Sequence, residues 1–168
     1  IPELEQFISK FSAADGEQGN AISKNVPVAQ YLLGKCYAAL GEKDPKQTEK
    51  AILAFRVLLD KWPESDPAKS ALFKIFDIYK ARADYKMCVQ LMDEFLKLYP
   101  THPDVYFAYD FVADLHFGGW LNTKTDANEK TVPAGPAGIA DLEKGTAKLN
   151  SYVDYEMSKD EIKVKRGD

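Results

Sequence analysis

The sequence predicts an all-α fold, a right-handed superhelix of about seven helices in antiparallel pairs. Three observations lead there. Apolar residues recur at three- and four-residue spacing, as in Leu33, Gly34 and Tyr37, in Ile75, Phe76 and Tyr79, and in Val112, Ala113 and His116. That is the stripe of an amphipathic helix. Prolines preceded or followed by acids punctuate these stripes at Asp44-Pro45, Asp66-Pro67 and Pro103-Asp104. Finally, the pattern repeats. Ala51 falls on Cys88, Phe55 on Met92, Leu58 on Phe95, Trp62 on Tyr99 and Pro63 on Pro100, every pair 37 residues apart. A constant period of this size marks stacked helix pairs, in which each pair buries its apolar face against the next.

The elements follow in order. Residues 2–11 form a short amphipathic helix with Leu4, Phe7, Ile8 and Phe11 on one face. It reads as the second helix of a preceding pair, joined by a polar, Gly-containing loop over 12–25. Helices are expected at 26–41 and 45–62, with Asp44 as N-cap, Pro45 in the first turn and Gln47 three residues after the cap. The next pair spans 67–82 and 85–99, with Asp66 as the cap of its first helix. In "KLYPTHPDVYF" (97–107) Pro100 closes one helix and Pro103 opens the next, over 103–117, because a tight corner between stacked hairpins must interrupt the backbone ladder. Residues 118–138 form a Gly- and Pro-containing insertion, and helical periodicity returns over 139–157 with Gly145, Leu149 and Tyr152 in the small, large and aromatic places. The charged tail 158–168 is expected to fray. The whole reads as one domain: an entry segment 1–25, repeats at 26–66, 67–102 and 103–157, and the tail. Tyr37, Phe55, Leu58, Tyr79, Met92, Phe95 and Tyr109 are the expected core.

Composition narrows the function. The chain has 168 residues, of which 45% are hydrophobic and 29% charged; these are the proportions of a folded globular protein rather than a disordered one. A net charge of −4 supplies no basic footprint for nucleic acid. No apolar run reaches the roughly 18 residues that span a bilayer. Cys36 and Cys88 fall in different helices and read as small buried residues, and no metal-ligand spacing is present. The chain begins at Ile1 without a signal peptide or a lipid-acceptor Cys, so it reads as processed or as a fragment.

Helix pairs with a small residue and an aromatic on the first helix, Ala then Phe on the second and a closing Pro resemble tetratricopeptide repeats. The family's usual period is about 34; here the extra residues fall in the corners. Phe76 stands where Gly or Ala is usual, and Cys88 and Met92 stand where Ala and Phe are usual. More narrowly, "KARADYKMCVQLMDEFLKLYPTHPDVYF" (80–107) is similar to the central repeats of the BamD family of outer-membrane assembly lipoproteins. The match includes the Pro-Thr-His-Pro corner and the long insertion in the following hairpin. That resemblance implies a scaffold at the periplasmic face of the outer membrane, binding a barrel-assembly component or an unfolded outer-membrane protein segment. The repeat pattern is shared more widely. It leaves open a tetratricopeptide adapter of another multiprotein complex, periplasmic or cytoplasmic.

Carrying the repeat's groove positions onto this chain gives Val28, Tyr31, Lys35, Ser70, Phe73, Asp77, Lys80, Phe107, Asp110, Asp114 and Phe117. Aromatic rings among charges suit an extended peptide. A carboxylate-clamping co-chaperone would need several groove cations, whereas Lys35 and Lys80 are set against Asp77, Asp110 and Asp114. Trp120 and Leu121 place an apolar pair on the insertion, where they either tuck back or dock a partner. No enzyme is expected and no cofactor is implied: there is no nucleophile motif or phosphate loop. His102 reads as a turn or N-cap residue and His116 as a packing residue.

Overall fold

The computed structural model describes residues 1–11, 24–118, 121, 124–125, 131–132 and 142–166. Seven helices lie among the described residues: α1 (Pro2–Phe11), α2 (Val26–Gly41), α3 (Pro45–Lys61), α4 (Asp66–Ala81), α5 (Tyr85–Leu98), α6 (Val105–Phe117) and α7 (Leu142–Arg166). Between the last two, β1 (Lys124–Thr125) pairs antiparallel with β2 (Thr131–Val132), inside the segment read as an irregular insertion. The chain falls into two compact units, Ile1–Arg82 and Ala83–Asp168.

In the first unit, α2 and α3 pack on each other as a hairpin with a three-residue turn, α4 packs on both, and α1 lies on α2. The turn works because α3 has a built start. Asp44 accepts a hydrogen bond from the Lys46 N–H at 3.0 Å and another from the Gln47 amide at 3.1 Å, satisfying a backbone donor the helix leaves unpaired. One expected cap moves by a residue. Ser65, in extended conformation, accepts from the Ala68 N–H at 3.3 Å and caps α4. Asp66 instead sits in the first turn, paired with Lys69 at 3.0 Å.

The hairpin closes tightly because Gly34 has no side chain. A Cβ there would lie 2.4 Å from the Phe55 ring, so the ring rests directly on the α2 backbone. Phe55 and Leu58 are fully buried, with Leu33, Ala51, Ile52 and Leu59 around them, and α4 adds Ala71, Leu72, Ile75 and Phe76. Gln30 is the one buried polar side chain among the described residues; its amide donates to the Ala54 carbonyl at 2.9 Å, which offsets its desolvation. Two expected core residues are only half-buried. Tyr37 sends its hydroxyl out to the Glu5 carboxylate on α1, and Tyr79 carries the Arg82 guanidinium over its ring at 5.9 Å. Cys36 is exposed rather than buried, Cys88 is buried, and both are free thiols.

In the second unit, α5 starts at Asp84, whose carboxylate accepts from the Met87 N–H at 3.2 Å. Cys88, Leu91, Met92 and Phe95 of α5 are completely buried, and Val105, Ala108, Val112, Ala113 and Leu115 line the inner side of α6. The corner of 99–104 departs from expectation. Pro103 remains in the turn, and the helix opens at Val105 behind Asp104. His102 explains the difference: its Nδ1 accepts the Asp104 N–H at 3.2 Å while its ring meets Phe95 edge-on at 5.2 Å. The imidazole therefore holds the turn two residues longer.

α7 packs on α6 and uses the same device as the first hairpin with the partners reversed. The small residue, Gly145, is on the second helix, and a Cβ there would lie 2.4 Å from the Phe117 ring of the first. Tyr109, a third expected core residue, is only half-buried between these helices, beneath Lys148 at 5.3 Å. α7 also continues to Arg166, past residue 157 where the helix was expected to end. Its charged extension is built largely of Lys, Glu, Ile and Arg, which are acceptable helix formers, and charge alone is no helix stop.

Candidate protein-binding surfaces

The expected site residues divide between the units. Tyr31, Lys35, Phe73, Asp77 and Lys80 lie in the first; Phe107, Asp110, Asp114 and Phe117 lie in the second.

In the first unit α2 and α4 are neighbours although a helix separates them in sequence, as consecutive first helices of stacked pairs should be. The α2 side presents Val28 at 46% and Leu32 at 43% exposure. Beside them the half-buried Tyr31 ring tilts against Phe55 at 5.7 Å, and Lys35 reaches over Tyr31 at 5.9 Å. From α4 come Ser70, half-buried Phe73 and the exposed pair Lys74–Asp77 at 3.0 Å. The hydrogen bond to Asp77 holds the Lys74 ammonium above the usual lysine range, and the nearby Tyr31 phenol adds to the rise. Tyr31 and Asp77 thus lie on helices that pack against each other. Lys80 instead lies along its own helix, over Phe76 at 5.8 Å. The result is a surface of apolar and aromatic area edged by both signs of charge, suited to protein rather than to a small ligand.

In the second unit Phe107 is exposed and stacks on Phe111 at 5.9 Å, while Asp110 accepts from the Tyr106 hydroxyl at 3.3 Å. Asp114 is exposed one turn on. Phe117 is spent on packing, its ring against Gly145. Leu121 is half-exposed in a turn, and Trp120 lies outside the described residues.

Sequence reasoning missed one feature of this unit, a cluster of four tyrosines. Tyr106 meets Tyr152 edge-on at 5.2 Å, and Tyr109 lies 5.6 Å from Tyr152 and 6.4 Å from Tyr155. Lys148 and Lys159 cover the rings of Tyr109 and Tyr155 at 5.3 and 4.2 Å, and the Tyr155 hydroxyl donates to the Pro100 carbonyl. The signal was available: Tyr106 and Tyr109, and Tyr152 and Tyr155, are each three residues apart on facing helices. A shallow cleft of about 290 Å³ sits beside the cluster, lined by Asp93, His116, Lys144, Lys148 and Ser151 among others. His116, expected as a packing residue, lies at its edge. Among the described residues, no three His, Cys, Asp or Glu side chains converge on a possible metal position, and no helix is long and apolar enough to cross a membrane.

The phenols report this environment. Tyr37 is raised above the ordinary tyrosine range chiefly by its bond to Glu5, Tyr106 by the charge of Asp110, and Tyr109 and Tyr152 by burial. A raised folded value favours the neutral phenol in the folded state. The associated stability is fully present below the unfolded value of about 10 and is lost as pH rises through the raised values. Phenolate absorbance of the native chain should therefore rise at higher pH than that of the same chain in concentrated guanidinium. Superimposable titration curves would remove these contacts.

A tetratricopeptide-repeat family model matches residues 28–65, which are α2, α3 and the corner after them. Neither a curated protein nor a solved structure matches the chain. The match falls on the first of the three expected pairs and supports a protein of tetratricopeptide type. With the helical architecture it makes the fold a tetratricopeptide-like helical repeat, a kind of module that typically serves as a non-catalytic scaffold for binding other proteins.

Proposed function

We propose that this chain is a protein-binding scaffold of the bacterial cell envelope, acting in outer-membrane protein assembly at the periplasmic face of the outer membrane. Its partner on this reading is a barrel-assembly component or an unfolded outer-membrane protein segment. The observation that carries the binding role is the surface shared by α2 and α4. Val28 and Leu32 stand exposed on α2, and α2 packs on α4, which carries Phe73 and the exposed Lys74–Asp77 pair, so two helices separated in sequence present one apolar face edged by charge. The envelope setting rests on the resemblance of residues 80–107 to the BamD family. Aromatic anchors carry the affinity on this reading, with the charges setting orientation and on-rate.

Capture from an envelope extract tests it. The parent chain is expected to recover an outer-membrane barrel protein or a component of its assembly machinery. Leu32→Ser combined with Phe73→Ser should reduce that recovery about tenfold, the loss of roughly 1.4 kcal/mol of binding. Recovery of cytosolic chaperones in their place, or equal capture by parent and double variant, contradicts the reading.

A further inference from the structure

The outer side of α6 holds aromatic area and negative charge together. Tyr106 is 52% and Phe107 41% exposed. With Asp110, Phe111 and Asp114 they follow at the spacing that aligns side chains along one helix flank. The Tyr106 hydroxyl donates to Asp110 at 3.3 Å, and Asp114 also acts on this phenol. The cations nearby are already engaged. Lys148 pairs with Asp93 at 2.5 Å and Lys159 with Glu156 at 2.7 Å, and among the described residues no cation pairs with Asp110 or Asp114.

We infer that this face of α6 docks an arginine-bearing segment of a protein partner, with the guanidinium lying over the Tyr106 ring and hydrogen-bonded to Asp110 and Asp114. Charge complementarity selects the occupant. Two carboxylates repel phosphate and acidic peptides, while an exposed ring face attracts a cation. The tyrosine cluster itself shows the mode, since Lys159 lies 4.2 Å and Lys148 5.3 Å from the ring centroids they cover. Arginine fits better than lysine because its planar fork can stack on a ring and bond carboxylates at once, and it is less strongly hydrated. A divalent metal would need more converging oxygens than this flank supplies. The inference rests on the protein-binding part of the proposed function and adds the chemistry of what the second unit recognises.

The probe is a capped pentapeptide with arginine at both ends and three alanines between, titrated into the full chain while backbone amide resonances are followed. Saturable shifts are expected over residues 105–114, weakening with salt. Asp110→Asn with Asp114→Asn should bind about tenfold more weakly, as should the citrulline version of the peptide with the parent chain. Leu53→Ser, at a position 66% exposed in the other unit, should bind like the parent. Shifts centred elsewhere, or equal affinity for the citrulline peptide or by the Asn variant, overturn the inference. The two readings fail separately. If the Asn variant matches the parent in peptide affinity while envelope capture succeeds, only this inference falls; if the parent captures no envelope protein, the proposed function falls first.

Discussion

Replacing Phe55 by Ala is expected to cost about 3–5 kcal/mol, towards the upper end of that range. The ring is completely buried and rests on Gly34, which has no side chain to move into the space it would leave. The cavity therefore persists, and Tyr31, whose ring is 5.7 Å away, loses the surface it leans on. The urea midpoint should fall sharply with little change in slope. The converse substitution tests the same contact from the other side. Gly34→Ala forces a methyl against the ring and should cost about 1–3 kcal/mol, but less when introduced together with Phe55→Leu, because neighbouring sites couple. Additive effects in the pair, or a parent-like midpoint for Phe55→Ala, would show that the hairpin does not close at this point.

Phe95→Ala should have a comparable effect, about 3–5 kcal/mol, and one consequence that Phe55→Ala lacks. Phe95 is fully buried and touches both Tyr99 and the edge of His102. His102 in turn accepts the Asp104 N–H at the start of α6. Removing the ring should therefore release the imidazole and loosen the corner as well as the core. Stability measured by urea unfolding and amide exchange at Asp104 and Val105 should change together, whereas Phe95→Leu should lose part of the stability and keep the exchange protection. If Phe95→Ala melts within a degree or two of the parent, the 37-residue register that placed it in the core is wrong.

Most of the helices were legible because their signals are local. Apolar spacing placed six of the seven described helices to within about two residues at each end, the usual uncertainty of helix limits. Asp44 was identifiable as a cap because acid, proline and Gln stand in fixed order. Other choices depended on competition that spacing does not reveal. Ser65 and Asp66 are both able caps, and the extended conformation of Ser65 decided between them. Pro103 can start a helix, but His102 holds the backbone in the turn. Ala83 takes a left-handed backbone, with φ 54°, where glycine is the usual residue; nothing in its side chain announces this. The end of α7 was misjudged because a charged tail was treated as a frayed one.

The candidate surfaces divide in the same manner. Tyr31, Phe73, Asp77, Phe107, Asp110 and Asp114 could be nominated from register, since residues at equivalent repeat positions face equivalent ways. Phe117 shares that register but is turned to packing by Gly145, a partner 28 positions away that no local pattern connects to it. The tyrosine cluster likewise depends on α6 and α7 lying side by side across the insertion.

The sequence by itself determined the helical repeat, its 37-residue step, most helix limits and the residues Phe55, Leu58, Met92 and Phe95 at its centre. Those features follow from periodicity, capping chemistry and the burial of large apolar side chains, all of which are written along one stretch of chain. Only the tertiary structure decided which small residue receives which ring, that Tyr37, Tyr79 and Tyr109 remain half-covered, that Cys36 faces solvent, and that the flank of Tyr106, Asp110 and Asp114 is left uncovered. Each of those outcomes depends on how close a second helix comes, and the distance of closest approach is set by the side chains of both partners together.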